Sequence, residues 1–260
     1  MPGCISRSVR DTARWLDVSN GHDSRDPLSL PRVDGWETGL GSNLESLRGM
    51  RVAVIPTFGG AVVAPDVVAI VEELGDRIAD HLGLARREVD VRIPSMGTAW
   101  SLAGLIAEFA SLGERWPGCE EELTPEIRYG MRFAEGRYGI PARIRLEQRR
   151  TELFEAMAGL FDEIDLVVCA TNPDVAFAAE GPLPDTFGGL ESTAANNGKL
   201  TIPANIYGNP GISIPAGTDG GLPVGVQVMG RHHAEDLLLD VALAVERERP
   251  WALVAPGSPL

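Results

Sequence analysis

Residues 51–94, RVAVIPTFGGAVVAPDVVAIVEELGDRIADHLGLARREVDVRIP, decide the fold. RVAVIP is a short apolar run of the kind a buried strand makes. The next segment places Val67, Ile70, Val71, Leu74, Ile78 and Leu82 on one helical face. Pro65 suits the first turn of that helix, where its missing N–H removes no internal bond. REVDVRIP alternates apolar and polar residues as a strand does. Strand, helix and strand in that order predict a βαβ unit, and hence an α/β fold.

Downstream, TAWSLAGLIAEFASLG, PEIRYGMRFAEG and PARIRLEQRRTELFEAMAGLFDEI read as helices, so residues 95–163 are expected to form a mainly helical insertion. DLVVCA is a continuous apolar run, as in a strand buried on both faces. The loop after it reaches Gly198, and loops that long are usually functional or disordered. GISIPAG and LPVGVQVMG, joined through TDGG, predict a hairpin with glycine supplying positive φ. AEDLLLDVALAVERE closes the chain as a helix, with Leu237, Leu238, Val241 and Val245 at helical spacing. The expected architecture is a mixed sheet flanked by helices, with strands near 51–56, 87–93, 165–170, 211–215 and 224–229.

Upstream, ISRSVRDTARWLDVSNG carries Val9, Ala13 and Leu16 at helical spacing, with Asn20-Gly21 placed to end the helix in a left-handed cap. Arg7 and Asp11, four apart, are expected to pair on its surface. A helix this close to Met1 has nothing before it to pack on, so an absent upstream part is expected.

Composition narrows the partners. A net charge of −14 repels phosphate backbones and anionic lipid, which argues against nucleic acid and membrane surfaces. No run approaches the length of a membrane-spanning helix. Cys4, Cys119 and Cys169 form neither a CxxC pair nor a zinc spacing, and their number is odd. A reduced, cytoplasmic compartment is the reading that follows. No cofactor motif is present.

ISRSVRDTARWLDVSNGHDSRDPLSLP resembles the segment that follows the catalytic core in amidase signature enzymes. DLVVCATNPDVAFAAEGP is similar to that family's strand and Thr-Pro-rich loop. IPANIYGNPGISIPAG and GLPVGVQVMGRHHAEDLLLDVALAVERERPW resemble its C-terminal hairpin and last helix. The chain departs from the pattern at MPGCIS, where the family has Gly-Pro, and at Cys169, where Thr or Ala is commoner. The resemblance implies the C-terminal half of an amidase signature protein, with the whole of residues 1–260 as a partial domain. It implies a small-molecule amide substrate, hydrolysed to carboxylic acid and ammonia. It also implies a Ser–Ser–Lys triad that lies ahead of the Arg-Ser-Val-Arg-Asp-like segment, and here that segment begins at residue 7. Expected partners are therefore a chain carrying the N-terminal half, or further copies of this one. The alternatives are a catalytically inactive remnant and a non-catalytic binding subunit.

Candidate replacements for that triad are few. Lys199 is the only lysine among 260 residues, against 22 arginines. It follows Asn196-Asn197-Gly198, a turn sequence that predicts an exposed side chain. Ser213 lacks GxSxG spacing and reads as a strand serine satisfied by backbone. Cys169 reads as a small buried hydrophobe. His232 and His233 are adjacent, so on a helix they would point about 100° apart and not chelate together; helix-start capping is the expectation. CEEELTPE reads as a solvated helix start, acids favouring that end of the dipole. No catalytic residue and no metal ligand is assigned. The loop after Cys169 is the best site candidate: Thr171, Asn172 and Asp174 leave the C-terminal end of a buried strand, where α/β sheets bind ligands. In the resembling family this loop lines the substrate pocket.

Overall fold

The structure is a computed structural model that describes residues 3–254. It divides into two compact units: the chain up to Arg92 together with the chain from Gly159 onward, and Ile93–Ala158.

The first unit is an α/β unit built on a five-stranded mixed sheet. Its strands are β1 (Arg51–Val54), β2 (Ala85–Arg86), β3 (Leu166–Ala170), β6 (Gly211–Asp219) and β7 (Leu222–Gly230), in the order β2-β1-β3-β7-β6. A separate two-stranded hairpin, β4 (Thr186–Phe187) and β5 (Leu190–Glu191), lies between β3 and β6 in the chain. β2, β1 and β3 are parallel, whereas β7 runs antiparallel to β3 and β6 to β7. Every residue of β3 is buried, as its unbroken apolar run requires. The β6–β7 turn is Gly220-Gly221, with φ of +55° and +84° between Asp219 and Leu222. Two consecutive positive φ values make the type I′ turn whose twist matches its strands. β6 lies at the sheet edge, and Pro215, which donates no ladder bond, is tolerated there.

Helix α3 (Pro65–Leu82) covers one face of the sheet. Val67, Val71, Leu74, Ile78 and Leu82 are buried there, as the pattern predicts, whereas Ile70 is only half-buried. A Cβ on Gly75 would lie 2.7 Å from Val54 Cγ1 and 3.3 Å from Val168 Cγ1, so the helix backbone rests directly on β1 and β3. Helix α8 (Glu235–Glu248) packs on β6 and β7 and on the two N-terminal helices, α1 (Val9–Ser19) and α2 (Leu44–Leu47). On α8, Asp240 is 1% exposed and accepts the backbone N–H of Gly41 at 2.6 Å and of Asn43 at 2.8 Å. On α1, the Asp17 carboxylate accepts the N–H groups of Gly35, Trp36 and Glu37, each at 2.9 Å. Those bonds hold its pKa below the usual carboxylate range, the Glu37 N–H most of all. Two helix side chains thus order the long polar loop between α1 and β1.

Three local expectations are corrected. Residues 87–93 do not continue as a strand, and β2 stops at Arg86. Its last support is the Arg87 N–H donated to Val52 O at 2.8 Å. Beyond it Val89 and Val91 alternate with charges and are half-buried, but the ladder to β1 pairs only Ala85 and Arg86. Arg7 does not pair with Asp11. It precedes the helix and donates to the Leu253 carbonyl at 3.1 Å, while Asp11 engages the N-cap Ser8. Asn20-Gly21 does not end α1 in a left-handed cap: Asn20, the C-cap, is extended, and Gly21 has φ +130°.

Asp165, just ahead of β3, accepts the Arg51 side chain at 2.9 Å, the Arg51 N–H at 2.8 Å and the Arg231 side chain at 3.1 Å. The Arg51 guanidinium, more than any other group, holds its carboxyl below the ordinary aspartate value. A carboxyl whose folded pKa is depressed stabilises fully above its unfolded pKa, and loses that contribution as pH falls through the lower folded value. The stability gap between the protein and Asp165→Asn is therefore expected to be constant above about pH 5 and to shrink below about pH 4. Urea unfolding across that range measures it, and a gap that widens in acid would contradict the assignment.

The second unit is helical: α4 (Gly97–Leu112), α5 (Pro125–Ala134) and most of α6 (Ile140–Glu163). α4 packs on α5, where a Cβ on Gly130 would lie 3.3 Å from Leu105. The acidic stretch is not itself the helix start. Glu120–Glu122 form a 3-10 turn, and α5 begins later, capped by Thr124 with Pro125 in its first turn. The three acids pair with Arg132, Arg128 and Arg115 respectively.

Among the described residues no helix is long and apolar enough to cross a membrane.

Candidate functional site

β1 and β3 are parallel neighbours, and the chain segments that leave their C-terminal ends lie beside each other. Such a place in an open α/β sheet is where ligands lodge. The loop after β1 carries Phe58, buried to 1% with φ at +37°, followed by Gly59 and Gly60. A bulky residue held at positive φ costs on the order of 1–3 kcal/mol, and such strain clusters at functional sites.

The loop after β3 is ordered rather than loose. It contains the β4–β5 hairpin, and Ala194–Gly198 form a 3-10 turn. Three contacts fasten the loop to the chain between β1 and α3. Ala64 N–H donates to Pro173 O at 2.8 Å. The fully buried Asn196 mimics a strand neighbour, its Oδ1 accepting Val62 N–H at 2.9 Å and its Nδ2 donating to Val62 O at 2.8 Å. Gly188, at φ +53°, lies so close to Ala64 and Pro65 that a Cβ would meet both at 2.7 Å.

The three residues singled out in this loop have different environments. Thr171 is half-buried and donates its backbone N–H to Gly225 O at 3.0 Å. Asn172 is exposed. Both carboxylate oxygens of Asp174 accept backbone N–H groups, from Val175 at 2.8 Å and Gly188 at 2.7 Å. Asp174 therefore shapes the loop.

The Ser213 hydroxyl does not turn to backbone, contrary to what its sequence setting predicts. Its Oγ lies 2.7 Å from Thr171 Oγ1, forty-two residues away in sequence. Gly225 makes the meeting possible, since a Cβ there would sit 3.0 Å from both hydroxyl oxygens. The signal was in LPVGVQVMG, where a lone glycine inside a strand marks a close approach.

The remaining candidates are placed as follows. Cys169 is wholly buried beside Gln227, whose Nε2 lies 3.5 Å from its Sγ, and burial pushes the thiol pKa up to about 12. Such a thiol forms no thiolate near neutrality and is no nucleophile. Lys199 is exposed and donates its Nζ to Gly60 O at 3.2 Å. His232 and His233 do not cap α8. They sit in the turn before it, with His232 Nε2 2.8 Å from the O of Tyr207, the last residue of α7 (Ile202–Tyr207). The His232 ring also lies against the Tyr207 ring, and His233 has φ +64°. Among the described residues no group of three or more His, Cys, Asp or Glu side chains could hold a metal ion.

Comparison with known proteins agrees with this architecture. The family model described as Amidase matches residues 1–239. An acylamidase of Rhodococcus erythropolis is 29% identical over 270 aligned positions, covering 99% of this chain and 54% of its own length. A glutamyl-tRNA(Gln) amidotransferase subunit of Listeria monocytogenes is 28% identical, with 98% of this chain and 56% of the relative covered. Among solved structures, a bacterial aryl acylamidase of the amidase signature family superposes with a TM-score of 0.82 at 26% identity, over 96% of this chain and 53% of that one. The corresponding amidotransferase subunit of Thermotoga maritima superposes at 0.69 with 28% identity, over 95% and 52%. The chain spans about half the length of the curated relatives it matches.

Proposed function

Because this chain belongs to the amidase family, we propose that it forms one wall of a site that hydrolyses small carboxamides to carboxylic acid and ammonia. The nucleophile and its base come from a segment outside these 260 residues. One observation carries the reading: the single lysine of the sequence is exposed and bonded to a main-chain carbonyl. A serine hydroxyl attacks an amide only when a base within hydrogen-bond reach takes its proton. A lysine does this only when burial or neighbouring positive charge depresses its pKa. Lys199 lies at the surface, its Nζ donating to the Gly60 carbonyl. This wall contributes the mouth at the ends of β1 and β3, with Thr171 and Asn172 towards the substrate and Asp174 fixing the loop that carries them.

The partner in this reading is a polypeptide segment carrying a Gly/Ser-rich nucleophile loop and an early lysine. Coexpression with the N-terminal half of a homologous amidase tests it. The chain alone is expected to release no ammonia from a simple amide, and the pair to do so at a rate at least about a hundredfold above background. Stable association without turnover would overturn it in favour of a binding subunit. Among the described residues the outer edge of β6 pairs with no strand, which leaves room for a partner under either reading.

A further inference from the structure

Thr171 and Ser213 come from β3's outgoing loop and from the edge strand β6, and they meet above Gly225 with their oxygens 2.7 Å apart. The contact is a constructed one. It needs a residue without a side chain at position 225, because a Cβ would lie 3.0 Å from each oxygen. Neither hydroxyl makes another side-chain bond among the described residues, and Ser213 is exposed.

Two hydroxyls carry two protons. One lies in the bond between them, whichever group donates it, which leaves one free O–H and unused lone pairs side by side. That outward pattern is one donor next to one acceptor. A carboxamide presents the complement, a C=O that accepts beside an N–H that donates. A carboxylate does not. It only accepts, so one of its oxygens would face hydroxyl lone pairs with no proton between, a polar contact left unmade at a real cost.

We propose that the Thr171–Ser213 pair is a carboxamide-recognising site that discriminates against the matching carboxylate. It rests on the reading of this chain as an amidase wall and deepens it, because such a pair holds substrate and rejects the acid that hydrolysis produces. Thr171 and Ser213 are binding residues here and take no part in bond breaking.

Binding to the full chain, without any partner, is the test. Threonine methyl groups are labelled with 13C, the Thr171 signal is assigned from Thr171→Val, and benzamide and benzoate are titrated separately. Benzamide is expected to move the Thr171 methyl saturably and to bind at least about tenfold more tightly than benzoate. Ser213→Ala is expected to weaken benzamide by about tenfold, whereas Ser213→Thr, which keeps the hydroxyl, stays within about threefold. Gly225→Ala is expected to abolish the preference while both hydroxyls remain. If Gly225→Ala does not fold, the surface substitutions at Ser213 still decide. Benzoate binding as tightly as benzamide, no saturable benzamide shift, or an unchanged Ser213→Ala would each overturn the site. Since the readout is binding, failure of the complemented protein to release ammonia would count against the amidase reading and leave this result standing.

Discussion

Replacing Asp240 with alanine is expected to lower the unfolding free energy by about 3–5 kcal/mol. The carboxylate is 1% exposed and each oxygen takes one backbone N–H, from Gly41 and Asn43. A hydrogen bond to a charged group contributes about 1.5–3 kcal/mol, and its loss here strands two half-buried donors. Both donors lie just ahead of α2, so the α1–β1 loop loses its hold on α8. Asp240→Asn keeps one acceptor but turns an NH2 towards the other donor, and should recover no more than about half of the loss. Urea unfolding of the three proteins measures this, and a change below about 1 kcal/mol for alanine would show that the loop is held by other means.

Gly188→Ala is the second large effect, expected at about 2–4 kcal/mol. Its φ of +53° is a backbone that side chains rarely adopt, and the added Cβ would meet Ala64 Cβ and Pro65 Cδ at 2.7 Å and Ala64 Cα at 2.8 Å. The contacts lie at the start of α3, whose backbone cannot give way by several tenths of an ångström without lifting off the sheet. The hairpin must move instead, which breaks the Gly188 N–H bond to Asp174. The loop carrying Thr171 and Asn172 should then exchange its amides and be cut by proteases faster than in the parent chain. Equal protection of residues 174–190 in both proteins would contradict this account of how the loop is held.

Much of this fold can be read from periodicity alone. The buried face of α3, the unbroken apolar run of β3 and the Gly-Gly turn of the β6–β7 hairpin all follow from local pattern, because each is set by burial or by φ within a few residues. REVDVRIP fails for the complementary reason: alternation is necessary for a half-buried strand, but a neighbouring strand must also pair with it, and here the ladder to β1 stops at Arg86. The Arg7–Asp11 spacing fails because the helix starts two residues after Arg7. The site is legible only in part. A loop at the end of β3 is foreseeable from strand order, and so are an exposed Lys199 and a buried Cys169. The roles of Asn196, Asp174 and Ser213 are not, since each is defined by a partner between 14 and 134 residues away. Gly225 was the local trace of the Ser213 encounter: a glycine within a strand.

The most direct test of the central claim, that the base which breaks the amide is not among these residues, is ammonia release by the complemented protein carrying Lys199→Ala. The account predicts kcat within about threefold of the unsubstituted complex, since an exposed amine bonded to the Gly60 carbonyl does no proton transfer. A fall of about a hundredfold or more, with KM unchanged and the complex still assembled, would place the base at Lys199 and contradict it.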